Sequence, residues 1–362
     1  MTNTKLLLSV AAASVLALNG CGGGSSSTDT TTPPPVETGY CTSANTIAGD
    51  INSDLTLTQD TCIDGKVRVL SGATLTASGI TVAGVSGSKG WIEVMPGAKL
   101  NANDVIFTSE EEASGGTGAP GQWGGVTLIG SDDTDEAGTA LNTQLEGYEV
   151  DGTAAGSVGA TDSSGSIQNC QFNNTGIAVE QDKEINGLSL YAVGSGTVVS
   201  DITVNRSGDD AVEIWGGHVA LTGVTISQAG DDGFDNDDGW AGSVNGLNVS
   251  GVTNSALELS GNTHATYSNV TINVTGNVAT SDVGGAIYLK KTAIGGTFIN
   301  VAITDNQANT YGTIVTDAAD LANLSGNGIT ITGTNTAGIV TEGPHYDATV
   351  ATTAEVQAAL GL

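Results

Sequence analysis

The sequence predicts an all-β chain wound as a right-handed parallel β-helix of roughly a dozen coils, closed by a short C-terminal helix. Three observations carry this expectation. Gly208-Asp209-Asp210-Ala211-Val212-Glu213 recurs as Gly230-Asp231-Asp232-Gly233-Phe234-Asp235, 22 residues later. The apolar residues step with it: Val199, Ile202 and Val204 become Leu221, Val224 and Ile226, then Leu247 and Val249, Val270 and Ile272, Val301 and Ile303, and Ile329 and Ile331. The residue ahead of each main strand is Gly223, Gly246, Asn269 or Asn300, types that tolerate the left-handed backbone of a sharp corner.

Each apolar pair lies in a short alternation such as Thr222-Gly223-Val224-Thr225-Ile226, which turns one face of a strand inward. Strands of about 4–5 residues at a step of roughly 22–31 residues, broken by Gly, Asn, Asp and Ser, are the pattern of a solenoid. The 53 glycines and 4% aromatic residues suit a narrow core of stacked small side chains. The rival, a β-sandwich, needs hairpins between strands, whereas these segments repeat as in-register copies.

From the N-terminus, residues 1–20 read as a targeting segment. Lys5 supplies the positive start, and Leu6 to Leu18 is an apolar run too short to span a bilayer. It ends in Leu18-Asn19-Gly20-Cys21, which resembles the lipobox of bacterial lipoproteins. That resemblance implies acylation of Cys21 and, with Gly22 rather than Asp behind it, attachment to the outer membrane by lipid. A plain secretory signal and a secreted protein are the alternative. Residues 21–38, rich in Gly, Ser, Thr and Pro, read as a flexible tether.

The solenoid is expected over residues 39–350. At ~4.8 Å per coil its axis would run roughly 50–60 Å. Cys41 and Cys62 fall in the first coil of an exported chain and are candidates for a disulfide. Val67-Arg68-Val69-Leu70-Ser71-Gly72-Ala73-Thr74-Leu75 aligns with Ile92-Glu93-Val94-Met95-Pro96-Gly97-Ala98-Lys99-Leu100, a step of 25. Cys170 aligns with the inward Ile202 and Val224 and is expected as a buried, inert thiol. In residues 351–362, Thr353 to Leu360 read as an amphipathic helix capping the open end of the coil stack, where strand edges would otherwise be unpaired.

The formal charge of −30, with only 9 lysines and arginines, excludes nucleic acid and anionic lipid surfaces as partners. Acids kept for surface solvation account for most of that charge. The ones near the repeat are different. Glu213, Asp235 and Glu258 occupy one outward position on successive coils and are expected ~4.8 Å apart. Asp209, Asp210, Asp231, Asp232, Asp237 and the neighbouring Asp238 crowd the adjacent turns. Like charges this close raise each other's pKa unless a cation sits between them. Asp209, Asp210, Glu213, Asp231, Asp232, Asp235, Asp237 and Glu258 are therefore the candidate ligands of a Ca2+ ion, which takes six to eight oxygens. No proper EF-hand loop is present, because Gly246 stands at position 12 counted from Asp235. A solvated acidic turn and a set of catalytic carboxylates are the other readings.

Gly208-Asp209-Asp210 looks like the Gly-Asp-Asp of polygalacturonase-type hydrolases, whose aspartates act as acid and base. On that reading Asp209, Asp210, Asp231 and Asp232 would be catalytic, with Arg206 as the one base near them. The other motifs of those hydrolases are absent. Lys290 and Lys291 fall three coils away, and Arg206 is equally placed to pair with Asp209. His218, His264 and His345 share no metal spacing, which argues against zinc. Trp215 and Trp240 stand beside the acids and Gly-rich turns as candidate sugar-stacking surfaces; packing over glycine at the corners is the alternative, for Trp123 as well.

A longer ordered set resembles a family of exported bacterial β-helix proteins, often lipoproteins, common in Bacteroidetes and marine proteobacteria. It comprises Ala119-Pro120-Gly121-Gln122-Trp123-Gly124-Gly125, Leu145-Glu146-Gly147, Glu184-Ile185-Asn186-Gly187-Leu188-Ser189-Leu190-Tyr191, Gly208-Asp209-Asp210, Trp215-Gly216-Gly217 and Phe234-Asp235-Asn236-Asp237-Asp238-Gly239-Trp240. The resemblance covers roughly residues 105–250. It implies the fold and an envelope location and supplies no catalytic residues. The "multidrug transporter" label such proteins often carry has no support in a solenoid pattern. The expectation is an outer-membrane-anchored, non-enzymatic binding or structural module for carbohydrate or another envelope component. The alternatives are a polysaccharide hydrolase or lyase and an accessory lipoprotein docked on an outer-membrane protein.

Overall fold

The computed structural model describes residues 39–133, 144–145, 148–149, 161–180, 183–274, 283–290, 294–307, 310–317, 320–321, 323–344 and 350–362. The targeting segment, Cys21, the tether, Lys291 and His345 lie outside them. Its strands form one 24-stranded sheet in which each strand pairs in parallel with the strand one coil before and one coil after. Together with the matching coil periodicity, this is a right-handed parallel β-helix.

Each coil contributes to three stacked faces. One runs through Trp91–Val94, Val126–Ile129, Leu188–Tyr191, Val212–Trp215, Phe234–Asp237, Leu257–Leu259 and Ile287–Leu289. The other two are separate strands in early coils, such as Lys99–Asn103 and Ile106–Ser109. In later coils they fuse into one bent strand, as in Val198–Asn205, Ala220–Ser227, Ser243–Ser250, Thr266–Val274 and Gly296–Asp305. The bend falls at the expected corner residues: φ is positive at Gly223 (67°), Gly246 (80°), Asn269 (54°) and Asn300 (55°). The register matches the repeat, with Val199 opposite Leu221, Ile202 opposite Val224 and Val204 opposite Ile226.

The inward residues form one continuous core. Each fully buried Val, Leu or Ile contributes about 1.5–3 kcal/mol, and identical coil positions let these side chains stack without gaps. Aromatic rings stack along the axis too, Phe107 on Phe172 at 5.0 Å and Tyr267 on Phe298 at 4.8 Å between centroids. Cys170 is buried within this core. A disulfide joins Cys41 to Cys62, across a Cα–Cα distance of 5.6 Å.

Two features depart from a plain coil stack. A single helical turn, Glu110–Ala113, follows Ile106–Ser109, with Ser109 as its N-cap. An antiparallel hairpin of Ile177–Glu180 and Lys183–Ile185 lies over the first face, where Val179 and Ile185 pack with Met95, Ile129, Tyr191 and Trp215. At the C-terminus the helix Thr353–Leu360 begins with a capping box between Thr352 and Glu355. It buries Val356 and Leu360 against Leu324–Gly333, the last bent strand. Gly326 permits this seating, since a Cβ there would stand 2.3 Å from the Leu360 carbonyl oxygen.

Candidate functional site

The site grows from one outward column of the first face. Parallel register places Glu93 beside Thr127, Thr127 beside Ser189, Ser189 beside Glu213, Glu213 beside Asp235, Asp235 beside Glu258 and Glu258 beside Tyr288. The three acids of the repeat are therefore neighbours on successive coils. They are not solvent-exposed, as an outward position suggested: Glu213 is 5% exposed, Asp235 9% and Glu258 1%.

A second column runs alongside. Asp210 Oδ1 accepts from the Asp232 backbone N–H (2.8 Å), and Asp232 Oδ1 accepts from that of Ser255 (2.5 Å). Each carboxylate thus caps the following coil, which fixes its position and draws it toward the ladder. Donor oxygens of Asp210, Glu213 and Asp235 come within 4.8 Å of one another, as do those of Asp232, Asp235 and Glu258 and those of Asp209, Asp210 and Asp231. Asp237 joins none of these groups; its Oδ1 accepts from the Asp238 N–H at 2.7 Å. That removes it from the predicted ligand set.

Lys290 closes the C-terminal end of the ladder. Its Nζ stands 2.5 Å from Glu258 Oε1. The separation of three coils holds only when counted from Asp209 and Asp210. The ladder climbs toward the lysine, and Glu258 is one coil away. Arg206 pairs with Glu112. Its guanidinium binds Glu112 Oε1 at 2.6 Å and Asn174 Oδ1 at 2.7 Å, tying the helical turn to the coil stack. That pairing holds Glu112 below the usual carboxylate range: burial works against ionisation, but Thr108, Arg206 and Asn174 outweigh it.

At the other end Asn186, fully buried, donates through Nδ2 to Glu213 Oε2. Asn186 Oδ1 and the hydroxyl of the buried Ser189 accept and donate no hydrogen bond, and neither do Asp235 Oδ1 and Glu258 Oε2. Buried oxygens without partners are costly. Asn186 and Ser189 adjoin Glu213, and Asp235 and Glu258 follow on the next two coils.

The electrostatics follow from burial. Desolvation pushes Asp210, Asp232 and Asp235 well above the ordinary carboxylate range. Neighbouring acids push them further, Glu213 acting on Asp210 and Glu258 on both Asp232 and Asp235. Glu258 is also raised by burial, with Lys290 pulling against it. Burial lowers the Lys290 ammonium, but the charge and hydrogen bond of Glu258 more than offset this, so it stays protonated. One lysine is too little positive charge for this many carboxylates. The cluster is suited to a hard cation of oxygen preference.

The tryptophans take the packing role. Trp240 is 0% exposed, donates from Nε1 to the Val219 carbonyl at 3.2 Å, and packs edge-on against Tyr267. Its ring is interior and offers no face to a sugar. Trp215, 8% exposed, leans on Tyr191 beneath the hairpin. Trp123 is buried against Phe107.

In the sequence Lys290 was weighed only as a base three coils from the aspartates, and Asn186 and Ser189 stood only within the resemblance. Lys290 was legible in principle, because Ala256-Leu257-Glu258-Leu259 aligns with Ala286-Ile287-Tyr288-Leu289 and the lysine follows. Asn186 and Ser189 had no acid to mark them.

The family comparison agrees with this architecture. A family model described as "Pectate-lyase like beta helix domain" matches residues 49–360. The crystal structure of the Dettilon tailspike protein (gp208) aligns with 12% sequence identity and a TM-score of 0.41, over 82% of this chain and 61% of that one. The chain thus spans less than two thirds of the tailspike's length. No curated protein matches the sequence.

Proposed function

Because the chain belongs to the pectate-lyase-like beta-helix family, we propose that it is a non-enzymatic member: an envelope-anchored module that binds neutral carbohydrate and is stiffened by a divalent cation, Ca2+, in the acid ladder. The observation that carries this reading is the burial of the ladder. Glu213, Asp232, Asp235 and Glu258 are all shielded from solvent and Lys290 is engaged by Glu258, so no acid–base pair faces a substrate. Carboxylate oxygens of Asp210, Glu213 and Asp235, and of Asp232, Asp235 and Glu258, lie within 4.8 Å of one another and are the ligands a calcium ion would take.

The surface for carbohydrate is the outward face of the bent strands. Thr203, Thr225, Asn248, Thr271, Ala302 and Thr330 form one column, and Asn205, Ser227, Ser250, Asn273, Thr304 and Thr332 the next. Neither column carries a charge, in a chain of net charge −30. Rows of short hydroxyl and amide side chains at the ~4.8 Å coil repeat hydrogen-bond sugar hydroxyls and offer nothing to a polyanion or polycation. Anchoring rests on Leu18-Asn19-Gly20-Cys21, with the lipid on Cys21.

The test is a screen of the full chain on insoluble neutral polysaccharides. Retention without release of reducing sugar supports the reading, with retention weakened by Thr225→Lys and Thr271→Lys. Sustained sugar release that Asp210→Asn abolishes would establish a hydrolase instead.

A further inference from the structure

We propose that Asp132, Asp133 and His218 form a second metal site, separate from the acid ladder, that takes a transition ion of the Zn2+ class. The residues come from segments 86 positions apart in sequence. Backbone hydrogen bonds hold them together. Asp132 N–H donates to the Ala192 carbonyl at 2.9 Å, His218 N–H to that of Val193 at 3.0 Å, and Gly217 N–H to that of Asp133 at 2.6 Å. Gly216 and Gly217 both have positive φ, 61° and 75°. A Cβ on Gly217 would stand 2.5 Å from the Val193 carbonyl oxygen, so only glycine lets the turn approach closely enough to deliver the imidazole.

The donors are gathered closely enough to share one ion, all three lying within 4.8 Å of one another. His218 Nδ1 stands 3.0 Å from Asp132 Oδ2 and 3.2 Å from Asp133 Oδ1. Two donors bound at about 2.0–2.2 Å stand about 3.0 Å apart at a right angle and about 3.4 Å apart at a tetrahedral one, so both His218 distances fit a shared ion. Asp132 is 0% exposed, its Oδ1 held by the Asp133 N–H at 2.9 Å. Its other oxygen is thereby aimed at the imidazole.

Asp133 Oδ1 is buried and faces the His218 imidazole with no hydrogen bond of good geometry. The ion pairs of Lys66, Arg68, Arg206 and Lys290 go to other acids. Imidazole with carboxylate favours Zn2+ and its neighbours over calcium, whereas the all-oxygen ladder favours the reverse. His218 keeps a side-chain exposure of 31%, which leaves room for water in the remaining positions. The site has the form of an open three-ligand centre, and its bound ion would staple Asp132 and Asp133 to the turn before Val219.

The test is calorimetry of the chelator-stripped full chain with ZnCl2 in saturating CaCl2, with Co2+ absorption as an independent readout. One saturable Zn2+ site, weakened at least tenfold by His218→Asn and by Asp133→Asn while the calcium response is unchanged, supports the proposal. So does a Co2+ spectrum lost in both variants. No saturable Zn2+ heat, or Zn2+ binding that both folded variants retain, overturns it. Calcium binding is read separately, so failure of the ladder reading is a distinct outcome.

Discussion

Lys290 Nζ lies 2.5 Å from Glu258 Oε1, and this pair ends a buried ladder of carboxylates that climbs coil by coil from Glu213. The lysine is the single fixed positive charge paired with the ladder among the described residues. A buried pair is weak evidence of net stability, but breaking it leaves an uncompensated charge.

Lys290→Met is therefore expected to destabilise the calcium-free protein by about 3–5 kcal/mol. Adding Glu258→Gln should recover most of that loss. Urea unfolding of the two single variants and the double variant measures the coupling; additive losses would mean that the pair is not coupled.

The pH dependence has a definite sign. Asp210, Asp232, Asp235 and Glu258 have folded pKa values raised above their unfolded ones. In the window between, the folded state holds more protons than the unfolded chain, so stability falls as pH rises. It is complete below about pH 4, the ordinary carboxylate range, and is lost as pH climbs through the raised values. Melting followed by circular dichroism in chelator should show Tm dropping by several degrees from mildly acidic to neutral pH. Saturating calcium should flatten that slope. A flat profile in chelator would contradict the buried-acid account.

Asp235→Asn removes the central charge of the ladder, which both Glu258 and Asp210 feel. It should raise the neutral-pH stability of the calcium-free protein by about 1–2 kcal/mol and abolish the calcium-induced rise in Tm. Ser189→Ala, beside Glu213, should weaken calcium binding while sparing the calcium-free fold, whereas Asn186→Ala, which removes a donor to the buried Glu213, should also cost the calcium-free fold about 1–3 kcal/mol. Isothermal calorimetry separates the two effects. An undiminished calcium response in Asp235→Asn would place the ion elsewhere.

Trp240→Ala is expected to cost about 3–5 kcal/mol, because the ring is enclosed between Phe234 and Tyr267. Carbohydrate retention, measured below the melting transition, should not change. Thr225→Lys should do the opposite, leaving folding stability within about 0.5 kcal/mol of wild type while reducing retention. Retention that follows Trp240 and ignores Thr225 would move the binding surface off the bent strands.

The coil stack was legible because its causes are local and repeated. Val199, Leu221 and the later apolar pairs recur at one spacing, and Gly223 or Asn269 marks each corner, so the inward face and the bends follow from alternation and from left-handed tolerance alone. The ladder Glu213, Asp235 and Glu258 was legible for the same reason, since in-register copies must stack. Its burial was not. Alternation places the acids outward, and the period carries nothing about what lies over them; the hairpin over Met95 and Trp215 breaks the repeat and is equally unannounced. Trp240 misled in a similar way, because a tryptophan beside glycines looks the same in sequence whether it faces water or core.

By itself, then, the sequence determined the solenoid, its register, its corners and the alignment of its acids, because a parallel coil imposes one spacing on residues roughly 22–31 apart. Only the tertiary structure decided which charges meet. Lys290 reached Glu258, Arg206 reached Glu112 across 94 positions, and His218 came to rest on Asp132 across 86 positions. Such contacts depend on loops and turns whose reach differs from coil to coil, and a charge is partnered by what lies within a few ångströms of it in space, whatever separates the two along the chain.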